Sequence, residues 1–151
     1  MKIKPFKPIV LSWLPALAGM GALFYASSLP GDRIHLPPFP YSDKVVHFSA
    51  YTLLGLLLSV RNPLRRRLYG SAIAAPAAGG QATAAGTDFT GMAVGMLYGV
   101  SDEIHQLFVP LRSYDYADMT ADALGVGLGC WLFGRLTGRI RSIGNPEVTH
   151  G

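Results

Sequence analysis

Three short blocks of the chain concentrate the residue types that do chemistry. The first is Asp43-Lys44-x-x-His47-x-x-x-Tyr51 and the second is Ser101-Asp102-Glu103-Ile104-His105-Gln106. The third is Arg112-Ser113-x-Asp115-x-x-Asp118-x-x-x-Asp122. Together they supply carboxylates, two imidazoles and two cations, which suits acid–base work, ion binding or metal ligation through nitrogen and oxygen. Spacing of three and four places Asp43, His47 and Tyr51 on one face of a helix. By the same rule Asp102, His105 and Gln106 share a face of a second helix, and Asp115, Asp118 and Asp122 share a face of a third. Glu103 and His105 are two apart and point different ways. The catalytic candidates are therefore His47, Glu103 and His105, an imidazole as general base with a carboxylate to orient it. A nucleophile elbow and an H-E-x-x-H zinc motif are both absent from the sequence, as is any phosphatase signature combining Lys, Arg and His. The two histidines and the carboxylates leave a metal open, and the sequence names no cofactor.

The elements that must carry these residues are apolar. Hydrophobic residues make up 50% of the 151 and charged residues only 15%, where a soluble domain carries about 25% charged. The lone cysteine, Cys130, excludes a disulfide framework and a Cys-rich zinc site. The run Ile9–Leu29 has no charge, and at 1.5 Å per residue it reaches roughly 30 Å, the hydrocarbon thickness of a bilayer. Three further runs predict helices over 44–61, 84–108 and 117–137, with an Ala/Gly-rich connection over 62–83. The expected architecture is all-α: a four-helix transmembrane bundle over 9–137, with short tails at 1–8 and 138–151.

Charge orients it. Ten of the 13 cations (Lys2, Lys4, Lys7, Arg61, Arg65, Arg66, Arg67, Arg135, Arg139 and Arg141) fall on one side of a four-span chain. Arg33, Lys44 and Arg112 fall on the other, with most of the acidic residues. The positive-inside rule puts both termini in the cytoplasm. It also accounts for the net charge of +4 without nucleic acid, because these cations border hydrocarbon. Three lysines, an apolar run and Ala26-Ser27-Ser28 resemble a signal peptide, but 21 apolar residues exceed the usual 7–15 of a signal core, so an uncleaved anchor is expected. Gly91, Gly95 and Gly99 on the third helix, and Gly125 and Gly129 on the fourth, form smooth stripes that let helices approach. Internal packing of the third helix on the fourth is the expected use; a homo-oligomer stays open. Trp13, Trp131 and Phe133 suit the cytoplasmic interface.

Burial makes the polar blocks informative. A charge at the bilayer centre costs roughly 2.5–3.5 kcal/mol, so His47 and Asp122 should face the bundle interior and pair with Lys44, Arg112 or each other. Asp43, Asp115 and Asp118 could instead only cap helix N-termini. The blocks DKVVHFSAYTLLGLLL and LYGVSDEIHQLFVPLRSYDYADMTADALGVGLG resemble the VanZ-like membrane protein family over roughly 43–129. The resemblance carries that family's polar positions onto Asp43, Lys44, His47, Tyr51, Asp102, Glu103, His105, Gln106, Arg112, Asp115 and Asp118. The chain departs from the pattern at Leu111, where Gly often precedes the arginine, and at Asp122, where Asn is frequent.

The resemblance implies a multi-pass protein of the bacterial inner membrane, embedded in the lipid bilayer and tied to the cell envelope. The family takes its name from a protein associated with resistance to the glycopeptide teicoplanin. Three functions follow in order. The outer cluster binds an envelope lipid or glycopeptide headgroup; or the protein is a membrane-embedded enzyme using His47 or His105, with or without a metal; or the bundle conducts a proton or small solute. Four helices leave little room for alternating access, which places transport last.

Overall fold

The computed structural model describes residues 6–69 and 88–144. Among them are four α-helices and no strand: α1 (Phe6–Ser27), α2 (Ser42–Tyr69), α3 (Phe89–Gln106) and α4 (Tyr116–Gly144), with a short 3-10 turn at Gly31–Arg33. α1 and α2 each hold a stretch long and apolar enough to cross a membrane, Val10–Ser27 and Ser42–Asn62. α2 runs to Tyr69, past the end expected at Arg61, through Arg and Leu residues that are good helix formers. α3 starts at Phe89, not at residue 84, because Asp88 leaves helical geometry and accepts a hydrogen bond from the Gly91 N–H at 3.0 Å. That carboxylate satisfies one of the four unpaired donors at the helix start. α4 continues to Gly144, beyond the expected 137. Most of the Ala/Gly-rich connection and the chain ends at 1–5 and 145–151 lie outside the described residues.

Successive helices run antiparallel, and α2 touches the other three. Its closest partner is α4. A Cβ on Gly125 would lie 2.5 Å from the Phe48 carbonyl oxygen, and one on Gly55 would lie 2.5 Å from that of Val126. At Gly129 a Cβ would collide with the Thr52 carbonyl. The α4 stripe therefore seats on the backbone of α2, where packing against α3 had been expected. The α3 stripe lies over the α2–α4 seam: a Cβ on Gly95 would meet Val126 and Leu58, and one on Gly99 would meet Asp122 and Tyr51. Small residues were needed where three backbones crowd together, and α2 occupies the middle.

The buried apolar core is small: Ala16, Tyr51, Leu54, Leu58, Val126 and Cys130. Buried polar residues are numerous, among them Asp102, Glu103, Gln106, Asp118 and Asp122. Large apolar side chains such as Leu14, Phe24, Leu53, Leu97 and Leu124 are exposed along the helix flanks. This distribution inverts the one expected of a water-soluble domain.

One polar tie closes the end of the bundle away from the candidate site. The Arg61 guanidinium donates to both oxygens of Asp88, at 3.0 and 2.9 Å, and lies 4.3 Å from the centre of the Trp13 ring. Both charged partners are buried. The charge pattern had only sorted Arg61 to one side of the chain; here it joins α1, α2 and the start of α3.

Candidate functional site

At the opposite end the C-termini of α1 and α3 meet the N-termini of α2 and α4, and the three polar blocks divide into three groups.

Nearest the loops, Lys44 holds three carboxylates. Its Nζ lies 2.9 Å from Asp43 and 2.9 Å from Asp118, and it donates to Asp115. Asp115 also caps α4, accepting from the Ala117 N–H at 2.8 Å. Capping and ion pairing thus coexist at one residue. The Lys44 hydrogen bond, helped by that backbone N–H, holds the Asp115 carboxyl below its ordinary range.

One turn deeper, α2, α3 and α4 each contribute one group. His47 Nδ1 lies 3.0 Å from Asp122 Oδ1 and 3.9 Å from Glu103 Oε1. Glu103 and Asp122 are fully buried. The Asp115 backbone N–H donates to Glu103 Oε2 at 3.1 Å, and Gln106 Nε2 donates to Oε1 at 3.3 Å. Asp122 Oδ2 and the Tyr51 hydroxyl are buried without a hydrogen-bond partner among the described residues.

The third group turns away. Asp102 accepts from Ser27 Oγ at 2.6 Å, while His105 bonds Ser28 Oγ at 3.0 Å and stacks on Phe24 at 4.6 Å. Both face α1. The face expected to unite Asp102, His105 and Gln106 is therefore split. α3 touches α1 as well as the α2–α4 pair, so Glu103 and Gln106 face that pair, His105 faces α1, and Asp102 stays buried while bonded to Ser27 of α1. His105 is in no position to act as a base beside Glu103.

Arg112 also departs from expectation. Among the described residues it pairs with no carboxylate; its Nε and Nη2 donate to the Leu29 and Ala26 carbonyls, each at 3.4 Å. These carbonyls lie at and just past the C-terminal end of α1, where the negative pole of the helix attracts a cation. The turn that presents Arg112 puts Leu111 at φ 60°, the left-handed region. Gly31 packs so closely on the Leu111 carbonyl that no Cβ would fit there, and its N–H donates to the Pro110 carbonyl at 3.1 Å. The two loops are locked together by this contact.

Between these loops and the helix ends lies an open cavity of about 210 Å3. Asp43, His47, Gln106, Arg112 and Asp118 supply its polar walls, and Ile34, Leu36 and Leu111 its apolar ones. Sequence reasoning had not assigned Ser27 and Ser28 to the polar network, having weighed them only as small residues that could suit a cleavage site. Their position at the end of an apolar helix, level with the acidic block of α3, was the available signal.

Four antiparallel helices with a buried acid–imidazole centre beneath an open polar cavity define a class of helical protein that carries its charges inside. The VanZ/LLP1 family model matches residues 9–137, and the chain belongs to that family. Comparison with curated proteins and with solved structures gives no match.

Proposed function

We propose that this VanZ-family chain is a four-span protein of the bacterial inner membrane, with both termini in the cytoplasm, whose outward cavity binds the polar headgroup of an envelope lipid or of a glycopeptide. Support for the membrane setting comes from the family, the two apolar helices, the sorting of cations and the apolar flanks around a polar interior. The observation that carries the binding reading is the cavity itself. Charged and amide groups from α2, α3, α4 and the loop before α4 converge on it, and apolar residues of the α1–α2 loop stand beside them. Its volume falls below the roughly 300–1,000 Å3 of drug-sized ligand sites, so it suits a headgroup or one arm of a larger molecule.

A second reading is favoured by the His47–Asp122 pair. A carboxylate that orients an imidazole at a cavity wall is the arrangement of a general base, so a membrane-embedded enzyme with His47 in that role is the alternative.

The test is native mass spectrometry of protein extracted with its lipids. One envelope phospholipid or lipid-linked sugar should remain bound to the parent protein, and Asp118→Asn or His47→Asn should lower its retention at least tenfold. Equal retention by all three would overturn the cavity as the binding site. Turnover of the retained lipid by the parent protein and not by His47→Asn would favour the enzyme.

A further inference from the structure

We propose that His47, Glu103 and Asp122 bind one divalent metal ion of the zinc or manganese type, seated beneath the floor of the cavity. The proposal goes beyond the headgroup reading: His47 is shared with the cavity wall, while Glu103 and Asp122 do not line the cavity.

The donors come from three helices, and one ligand atom from each lies within 4.8 Å of the other two. His47 Nδ1 is 3.0 Å from Asp122 Oδ1 and 3.9 Å from Glu103 Oε1. An ion about 2.1 Å from each donor sets neighbouring donors about 3.0 Å apart in octahedral geometry and about 3.4 Å apart in tetrahedral geometry. Small side-chain rotations reach either. An imidazole with two carboxylates is a donor set for Zn2+, Mn2+ or Fe2+, and it lacks the thiolates that select softer ions.

A second observation points to a missing ligand. Asp122 is 0% exposed, yet its Oδ2 has no hydrogen-bond partner among the described residues. The same carboxylate offers Oδ1 to His47. Buried carboxylate oxygens are ordinarily satisfied, and each exception needs a cause. A cation shared by Oδ1 and Oδ2 supplies one.

Charge separates this site from the acidic cluster above it. Asp43, Asp115 and Asp118 also approach one another, but the Lys44 ammonium already sits among them. No Lys or Arg ion pair reaches Glu103 or Asp122 among the described residues, and Arg112 is engaged with the end of α1. With a neutral imidazole and a divalent ion the centre is neutral, which a low-dielectric interior favours. Three protein donors leave coordination positions open, as in catalytic metal sites. Because His47 also lines the cavity, a molecule held there could reach the ion.

The experiment loads the full-length protein in detergent, stripped with chelator and dialysed, with ZnCl2, MnCl2 or CoCl2 alone. Metal content and thermal midpoint are read together. The expected result is about one equivalent per chain and a rise in midpoint that chelator reverses. Glu103→Gln and Asp122→Asn should weaken uptake at least tenfold, while Asp115→Asn stays within about twofold of the parent. Uptake no higher than trace would overturn the proposal; so would equal uptake by the Glu103 and Asp122 variants, or a loss confined to Asp115→Asn. If the variants do not fold, pulsed paramagnetic resonance of the Mn2+-loaded parent decides. Modulation from a directly bound imidazole nitrogen supports the site, and its absence overturns it.

Discussion

Leu111 carries a cost that its own side chain does nothing to offset. It stands at φ 60° with 76% of its surface exposed, and an L-residue in that region loses roughly 1–2 kcal/mol. Glycine would relieve the strain while adding about 0.4–1 kcal/mol of unfolded-chain entropy. Leu111→Gly should therefore stabilise the fold by about 0.5–1 kcal/mol, seen as a rise of a few degrees in the thermal midpoint in detergent. An unchanged or lower midpoint would mean that the turn is not left-handed there. The family pattern, with glycine often at this place, had marked the position from sequence; the conformation that explains it had not been legible. Asp115 gives a second residue-scale prediction. Its folded-state pKa lies below the ordinary value because of Lys44, so its contribution is present above about pH 4 and is lost as pH falls through the lowered value. The thermal midpoint of the parent should fall more steeply between pH 5 and pH 3 than that of Asp115→Asn. Parallel slopes would show that the pair with Lys44 does not contribute to folding.

Between helices, the glycine stripes were easy to read and their partners were not. A four-residue spacing says that one face is smooth, yet nothing in it says which neighbour lies against that face. The same limit governs α3, where 102, 105 and 106 share a stripe in projection while the helix rotation splits them between α1 and the α2–α4 pair. Arg112 escaped for another reason: its partners are backbone carbonyls, which any sequence would offer. Arg61 and Asp88 escaped because an Ala/Gly-rich stretch separates them and neither spacing nor period connects them. By contrast the pairing of His47 with Asp122 follows from burial cost, because both sit within apolar helices where facing lipid would be penalised. The α2–α4 contact can be tested with three single alanines. Gly125 and Gly129 have carbonyls of α2 where a Cβ would go, whereas Gly127 faces open space. Gly125→Ala and Gly129→Ala should each cost about 1–3 kcal/mol from overpacking. Gly127→Ala should be neutral or gain about 0.5–1 kcal/mol in helix propensity. Equal effects at all three positions would rule out the close backbone approach.

For the whole molecule, the arrangement of polarity is the fact that a function must explain. The helices bury carboxylates and expose leucines, so the favourable surroundings for the outside are hydrocarbon and for the inside a ligand, an ion or one another. α3 is the shortest helix at 18 residues, about 27 Å at 1.5 Å per residue, slightly less than the roughly 30 Å hydrocarbon core. It nonetheless carries Asp102 and Glu103 in its last turns, where the Asp115 N–H at the α4 cap donates to Glu103. If all four helices cross, the cavity and both acidic groups lie on the side away from the ten sorted cations. A reporter active only outside the cytoplasm decides this. Inserted in the 37–41 loop, beside the cavity, it should be active; near Arg66, or after Gly151, it should be silent. The loop insertion must be judged on protein that still extracts and folds, since Gly31 and Leu111 lock the adjoining turn. Activity after Gly151 would turn the molecule over and place the His47–Glu103–Asp122 centre in the cytoplasm. A glycopeptide arriving from outside could then no longer be its ligand, although the three donors would still be able to hold a metal.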